Sequence, residues 1–126
     1  MERRSISGTS PYEAIMGYSR AVVVGKNVYV AGTAPIPPDG SPPPEGSYEQ
    51  TRLCFEIIGR ALGQAGATFE HVVRTRVHVT SPEHFEGVAR AHGEVFSEIR
   101  PVNTTVVTSL MDPAWTVEID VDAVLP

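Results

Sequence analysis

The sequence predicts an α+β fold: a two-layer sandwich in which two amphipathic helices cover one face of a single sheet, in the order β-β-α-β-α-β-β. Three observations predict it. Residues 48–65 and the stretch after Ser81-Pro82 repeat apolar side chains at helical spacing. Residues 73–80 and 115–124 alternate apolar with polar side chains, as half-buried strands do. Helical and strand patterns follow one another at connection lengths that suit one layered domain.

Residues 1–18 show little periodicity and read as an irregular lead-in. Ala21 to Val24 and Val28 to Ala31 are β-branched runs around Gly25-Lys26-Asn27, which predicts a hairpin. Residues 33–46 hold six of the eleven prolines, so they form a surface loop that can brace or cover a site. Ser47 and Gln50 are spaced as a capping box, with Ser47 the N-cap of a helix over 48–65 and Gly66 its stop. A short turn is expected over 69–73. Val73, Thr75, Val77 and Val79 then alternate with Arg74, Arg76, His78 and Thr80.

Ser81 caps the second helix with Pro82 at its first position, and Phe85, Val88, Ala89, His92, Phe96 and Ile99 form its apolar stripe. Pro101 ends it near residue 99 or 100. Residues 104–109 form a β-branched strand. In the last strand Val117, Ile119, Val121 and Ala123 face one way, and Glu118, Asp120 and Asp122 the other. The helices cover Val77, Val79, Val117 and Ile119. If the two charged strands are neighbours, Arg74, Arg76 and His78 meet Glu118, Asp120 and Asp122 across the sheet. That face is either solvated or a subunit interface.

The chain has 126 residues, which is one ordinary domain spanning 1–126. Ten basic and fifteen acidic residues give a net charge of -5, which disfavours nucleic acid as a partner. No apolar run approaches a membrane span, and the stretch MERRSISGTSPYEA lacks the apolar core of a signal peptide. Cys54 is the one cysteine, so a reducing, cytoplasmic setting is expected.

No G-x-G-x-x-G, Walker or G-x-S-x-G motif is present, and His71, His78, His84 and His92 form no metal-ligand pair. No metal and no cofactor are expected. Cys54 and His92 lie on apolar helix stripes, where a buried thiol and a hydrogen-bonded core or interface histidine are the default. Three features carry chemistry. Gly17-Tyr18-Ser19-Arg20 places a phenol and a guanidinium before the first strand. Gly32-Thr33 ends the second strand, where a glycine allows close approach of a ligand. Asn103, Thr104, Thr105 and Asp120 put an amide, hydroxyls and a carboxylate on the last two strands.

At these positions the chain resembles the Rid family, also called the YjgF family and including RidA-like and endoribonuclease L-PSP-like proteins. The resemblance runs from about Tyr18 to Val124. Its carriers are Gly17-Tyr18, Val30 to Ile36, Leu62 to Ala67, Val73 to Thr80, His92 to Phe96, Arg100 to Thr105 and Val117 to Asp120. The resemblance implies a chorismate-mutase-like sandwich assembled as a homotrimeric barrel, with a small-metabolite cleft at each subunit interface. It further implies hydrolysis of reactive imines or enamines, such as 2-iminobutanoate, to keto compounds and ammonia without a cofactor.

In the deaminating branch a Pro-Ala-Arg motif supplies an arginine that grips the substrate carboxylate. The matching stretch here is Pro101-Val102-Asn103, which leaves an amide in the arginine's place. The branch's S-G-Q stretch matches Ala31-Gly32-Thr33, its tyrosine matches Tyr18, and its water-positioning glutamate is matched to Asp120. The resemblance therefore names Asp120 as catalytic, with Tyr18, Gly32, Thr33, Asn103, Thr104 and Thr105 contacting substrate. Arg20, Arg74, Arg76 and Arg100 are alternative sources of charge. The other reading is a ligand-binding or regulatory trimer that keeps the cleft without the chemistry.

Overall fold

The computed structural model describes residues 2–126. Its sheet has six strands: β1 (Arg3–Ile6), β2 (Ala21–Val24), β3 (Asn27–Thr33), β4 (Val72–Val79), β5 (Val102–Val107) and β6 (Val117–Val124). Three helices accompany them: α1 (Tyr12–Met16), α2 (Ser47–Gln64) and α3 (Phe85–Phe96). The strands run in the order β1-β2-β3-β6-β4-β5, antiparallel except for the parallel pair β4 and β5. The expected α+β sandwich is the one found.

The first difference is at the N-terminus. Residues 1–18 were expected to be irregular, yet Arg3–Ile6 pairs along β2 and Tyr12–Met16 forms a short helix closed by Gly17 at φ 79°. The sequence RRSI pairs because β2 offers a free edge, which no periodicity in the segment itself reveals.

The hairpin β2–β3 forms as expected, with Gly25 at φ 60°, and it extends β3 through Thr33. At the far end α2 starts from Gly46, whose φ of 87° turns the proline-rich loop into the helix. Ser47 therefore sits inside the helix and makes no capping bond. Gln50 does not close a capping box either. Its side chain reaches across to the turn before β6. Gly66, also at φ 87°, ends α2 as expected, and Ala67 donates to Leu62 O at 2.8 Å.

A 3-10 turn over Phe69–His71 is capped by Thr68. A second 3-10 turn, Pro82–His84, begins at Ser81, whose hydroxyl accepts from Glu83 N, and leads into α3. The helix ends at Phe96, short of the expected 99 or 100. Pro101 excludes the helical region for the residue before it, and Arg100 takes a left-handed φ of 58°. The chain then enters β5 at Val102, two residues earlier than its β-branched run suggests. β6 begins at Val117, because Trp115 belongs to a turn in which its N–H donates to Asp112 O.

Two register shifts set which side chains face where. In β4 a shift between Val72 and Arg74 turns Val72 into the core and leaves Val73 exposed, against the expected alternation. In β3 a shift between Val30 and Thr33 sets Thr33 opposite Ile119. The core lies between the sheet and the helices. Ile58, Leu62, Val28, Val77, Val117, Ile119 and Val121 are fully buried there, and Cys54 lies among them. Burial pushes the Cys54 thiol far up from its ordinary range, so it stays neutral and unreactive. Phe55, Phe69, Phe96 and His92 close the outer end in edge-on aromatic contacts.

Candidate functional site

The face of the sheet away from the helices carries two facing rows of charge. Arg74 lies opposite Asp122, Arg76 opposite Asp120 and His78 opposite Glu118. Arg76 Nη1 donates to Asp120 Oδ1 at 2.9 Å and to Asp122 Oδ2 at 3.3 Å, and Arg74 Nε lies 3.7 Å from Asp122. The bond to Asp120 raises the Arg76 pKa further above its ordinary value. The neighbouring-strand arrangement read from the sequence is thus present. Asp120, matched to the family's water-positioning residue, is occupied by Arg76.

Glu118 differs from its two neighbours. Its carboxylate stands over Gly32, where a Cβ would lie 3.3 Å from Oε2. Among the described residues no cation lies within 4.0 Å of it, and no group hydrogen-bonds its oxygens. The approach depends on the β3 register shift and on the missing side chain at Gly32. Gly32 O in turn accepts a 2.6 Å bond from Arg20 Nη2. Arg20 is buried, its Nε has no partner among the described residues, and its guanidinium lies 5.8 Å from the centre of the Tyr18 ring. The Tyr18 hydroxyl is 3.4 Å from Ser10 Oγ. Tyr18, Arg20, Gly32 and Glu118 therefore form one continuous set of contacts.

A second polar set lies on the opposite face. Parallel pairing puts Asn103 beside Thr75 and Thr105 beside Val77, both helix-facing positions. Thr105 donates to Asn103 Oδ1 at 2.9 Å, Asn103 Nδ2 donates to Thr75 Oγ1 at 2.9 Å, and Thr75 Oγ1 is 2.9 Å from His92 Nε2. Burial lowers the pKa of His92, which favours the neutral ring. Thr104 faces the other way, beside Arg76.

The sequence-derived residues thus divide. Tyr18 and Gly32 come together. Asn103 and Thr105 come together elsewhere. Thr104 and Asp120 share the charged face. Thr33 joins none of them: it is fully buried, and its hydroxyl donates to Ala31 O. Glu118 and Thr75 were missed. Glu118 shares its alternation with Asp120, and only the β3 shift, which leaves no sequence signature, tells them apart. The hollow of about 440 Å³ between the outer surfaces of α2 and α3 is lined by Tyr48, Arg52, Phe69 and Glu94 and contains none of these groups.

Comparison with known proteins adds family context. The family model described as Endoribonuclease L-PSP matches residues 8–125. A RutC family protein of Pyrococcus abyssi is 31% identical over 82% of this chain and 82% of its own length. The 2-iminobutanoate/2-iminopropanoate deaminase of Capra hircus is 29% identical over 97% of this chain and 90% of its own. The crystal structure of Rv2704, a YjgF/YER057c/UK114 family member from Mycobacterium tuberculosis, is 42% identical. It superposes with a TM-score of 0.89 over 98% of this chain and 100% of its own.

Proposed function

Because the chain belongs to the endoribonuclease L-PSP family, also known as YjgF, we propose that it works as a homotrimer whose interface clefts take a small carbonyl or imine metabolite and hydrolyse the imine. In that reaction water adds to the C=N carbon, the C–N bond breaks, and a keto compound and ammonia leave. The observation that carries the proposal is the unpaired Glu118 carboxylate over Gly32. A carboxylate without a protein partner is free to accept a proton from a water and aim its oxygen at the imine carbon. Glu118 takes the role that the sequence comparison gave to Asp120, whose oxygen Arg76 already holds.

Assembly is proposed on three grounds. The edge strand β5 exposes Val102, Val106 and Val107, and Met111 beyond it is 94% exposed. The helix α1 exposes Ile15 and Met16. Among the described residues no layer covers the charged sheet face. An open apolar edge of this kind calls for a partner. Glu118 and Asn103 lie on opposite faces of one sheet, so a cleft containing both needs two subunits. No helix among the described residues is long and apolar enough to cross a membrane. We place the protein in the cytoplasm on its single, buried cysteine.

One observation favours the second reading, a trimer that binds a metabolite without turning it over. Asn103 is uncharged where the deaminating branch is inferred to grip a carboxylate. Ammonia release from a panel of imines generated in place by an amino-acid oxidase separates the two. The enzyme reading expects release that Glu118→Gln abolishes and Asp120→Asn retains. Loss through Asp120→Asn alone returns the role to Asp120. Ligand binding with no release of ammonia establishes the second reading.

A further inference from the structure

The Thr105–Asn103–Thr75–His92 chain has a direction. Asn103 Oδ1 is taken by the Thr105 hydroxyl, so its Nδ2 faces Thr75. Thr75 Oγ1 accepts that N–H, and its own hydrogen then has His92 Nε2 as its acceptor at 2.9 Å. The Thr75 hydroxyl hydrogen is satisfied only if Nε2 carries no proton and the ring keeps its hydrogen on Nδ1. The ring is fixed in place by Phe55 and Phe96, at 5.8 Å and 4.8 Å between centroids. Thr75 is fully buried, so its hydroxyl cannot turn to water. The neutral imidazole therefore dictates the orientation of an exposed amide two hydrogen bonds away, with Thr75 between them. The second Nδ2 hydrogen has no partner among the described residues.

We propose that His92, acting through Thr75, is a positioning residue that holds Asn103 with an N–H outward, and that the ligand meets this N–H with an uncharged carbonyl oxygen. The ligand half rests on the interface-cleft reading above; the positioning half does not. An N–H without a formal charge suits a neutral acceptor, because a carboxylate drawn out of water without a countercharge loses more in hydration than one neutral donor returns, whereas a neutral carbonyl does not. The recorded partners of Asn103 are two hydroxyl side chains, and the ring beyond them is neutral. The proposed ligand is thus a small carbonyl compound bearing an amide, ester or ketone oxygen at this point.

Nitrogen NMR on the full chain tests the positioning half. The His92 ring is expected as the Nδ1–H tautomer with Nε2 unprotonated, and one Asn103 side-chain hydrogen should exchange slowly with water. Thr75→Val should speed that exchange by roughly five- to tenfold, the equivalent of one neutral hydrogen bond. Thr75→Ser should restore it. A protonated Nε2, or exchange that Thr75→Val leaves unchanged, overturns this half. For the ligand half, 2-oxobutanamide and 2-oxobutanoate are titrated against the Thr104 backbone N–H signal, which the natural protein and Asn103→Arg share. The amide should shift it at the lower concentration in the natural protein, and Asn103→Arg should reverse the order. Tighter binding of the keto acid by the natural protein overturns the ligand half. If neither compound moves the signal, the ligand half falls with the cleft reading, while the His92 signature still decides the positioning half.

Discussion

Gln50 and Thr116 are joined twice: the Gln50 Oε1 accepts the Thr116 backbone N–H at 2.8 Å and its hydroxyl at 2.9 Å. The same side chain donates through Nε2 to Pro44 O at 3.0 Å and Ala114 O at 2.9 Å. One buried amide thus ties the proline-rich loop, the first turn of α2 and the entry to β6, the strand that carries Glu118.

Gln50→Leu keeps the bulk but leaves two carbonyls, an N–H and a hydroxyl without their partner. Each such buried group costs about 1–3 kcal/mol, so a loss of roughly 2–4 kcal/mol is expected after partial relaxation. At fixed protein concentration the melting temperature should drop by about 5–15 °C. A change of under a degree would show that water already serves these groups.

Assembly is checked by light scattering. The chain has a mass of 13.6 kDa, and a species near three times that value is expected at micromolar concentration. Placing lysines at Val106 and Val107 on the β5 edge should shift the mass toward one protomer. A natural protein that stays monomeric removes the basis of the interface cleft.

For 2-iminobutanoate, the natural protein should show weak or absent hydrolysis. A charged hydrogen bond contributes roughly 1.5–3 kcal/mol, so its loss at position 103 weakens handling of a carboxylate substrate about ten- to a hundredfold. Asn103→Arg should raise the rate if the clamp alone is missing. Activity in the natural protein equal to that of an arginine-bearing relative would show that another group holds the carboxylate.

His92 should leave a mark in acid. Burial lowers its folded-state pKa from the ordinary 6.5. The unfolded chain therefore takes up this proton first, and stability is full above about 6.5 and falls as the pH drops toward the folded value. The group stays neutral in the folded protein across that window. His92→Phe should flatten this part of the urea stability profile between pH 7 and 5. An identical profile in the two proteins would assign the acid sensitivity to other groups.

The sheet and its helices were legible because burial writes a period into the sequence. Val77, Val79, Val117 and Ile119 needed only alternation to be placed, and the facing of Arg76 and Asp120 followed from it. The N-terminal strand was not legible, since Arg3–Ile6 is specified by the edge it joins. Neither were the shifts at Val72–Arg74 and Val30–Thr33, where one added residue reverses every face beyond it. Those shifts decide that Thr33 is buried and that Glu118 lies over Gly32, so part of the site stayed hidden while the layers were plain. Asn103 could be singled out by type, but its bond to Thr75 depends on the parallel register of β4 and β5.

The placement of Asn103 and Glu118 on opposite faces of one sheet has a genetic consequence. If each cleft draws one of the two from each neighbour, a subunit defective at residue 103 and another defective at residue 118 are not equivalent failures. Unfolded and refolded together, they form mixed rings in which some clefts receive both intact residues. Two alleles that are each inactive alone would then complement in one cell, and a subunit altered at one of the two residues would damage one cleft of its ring while still serving the next through its intact residue.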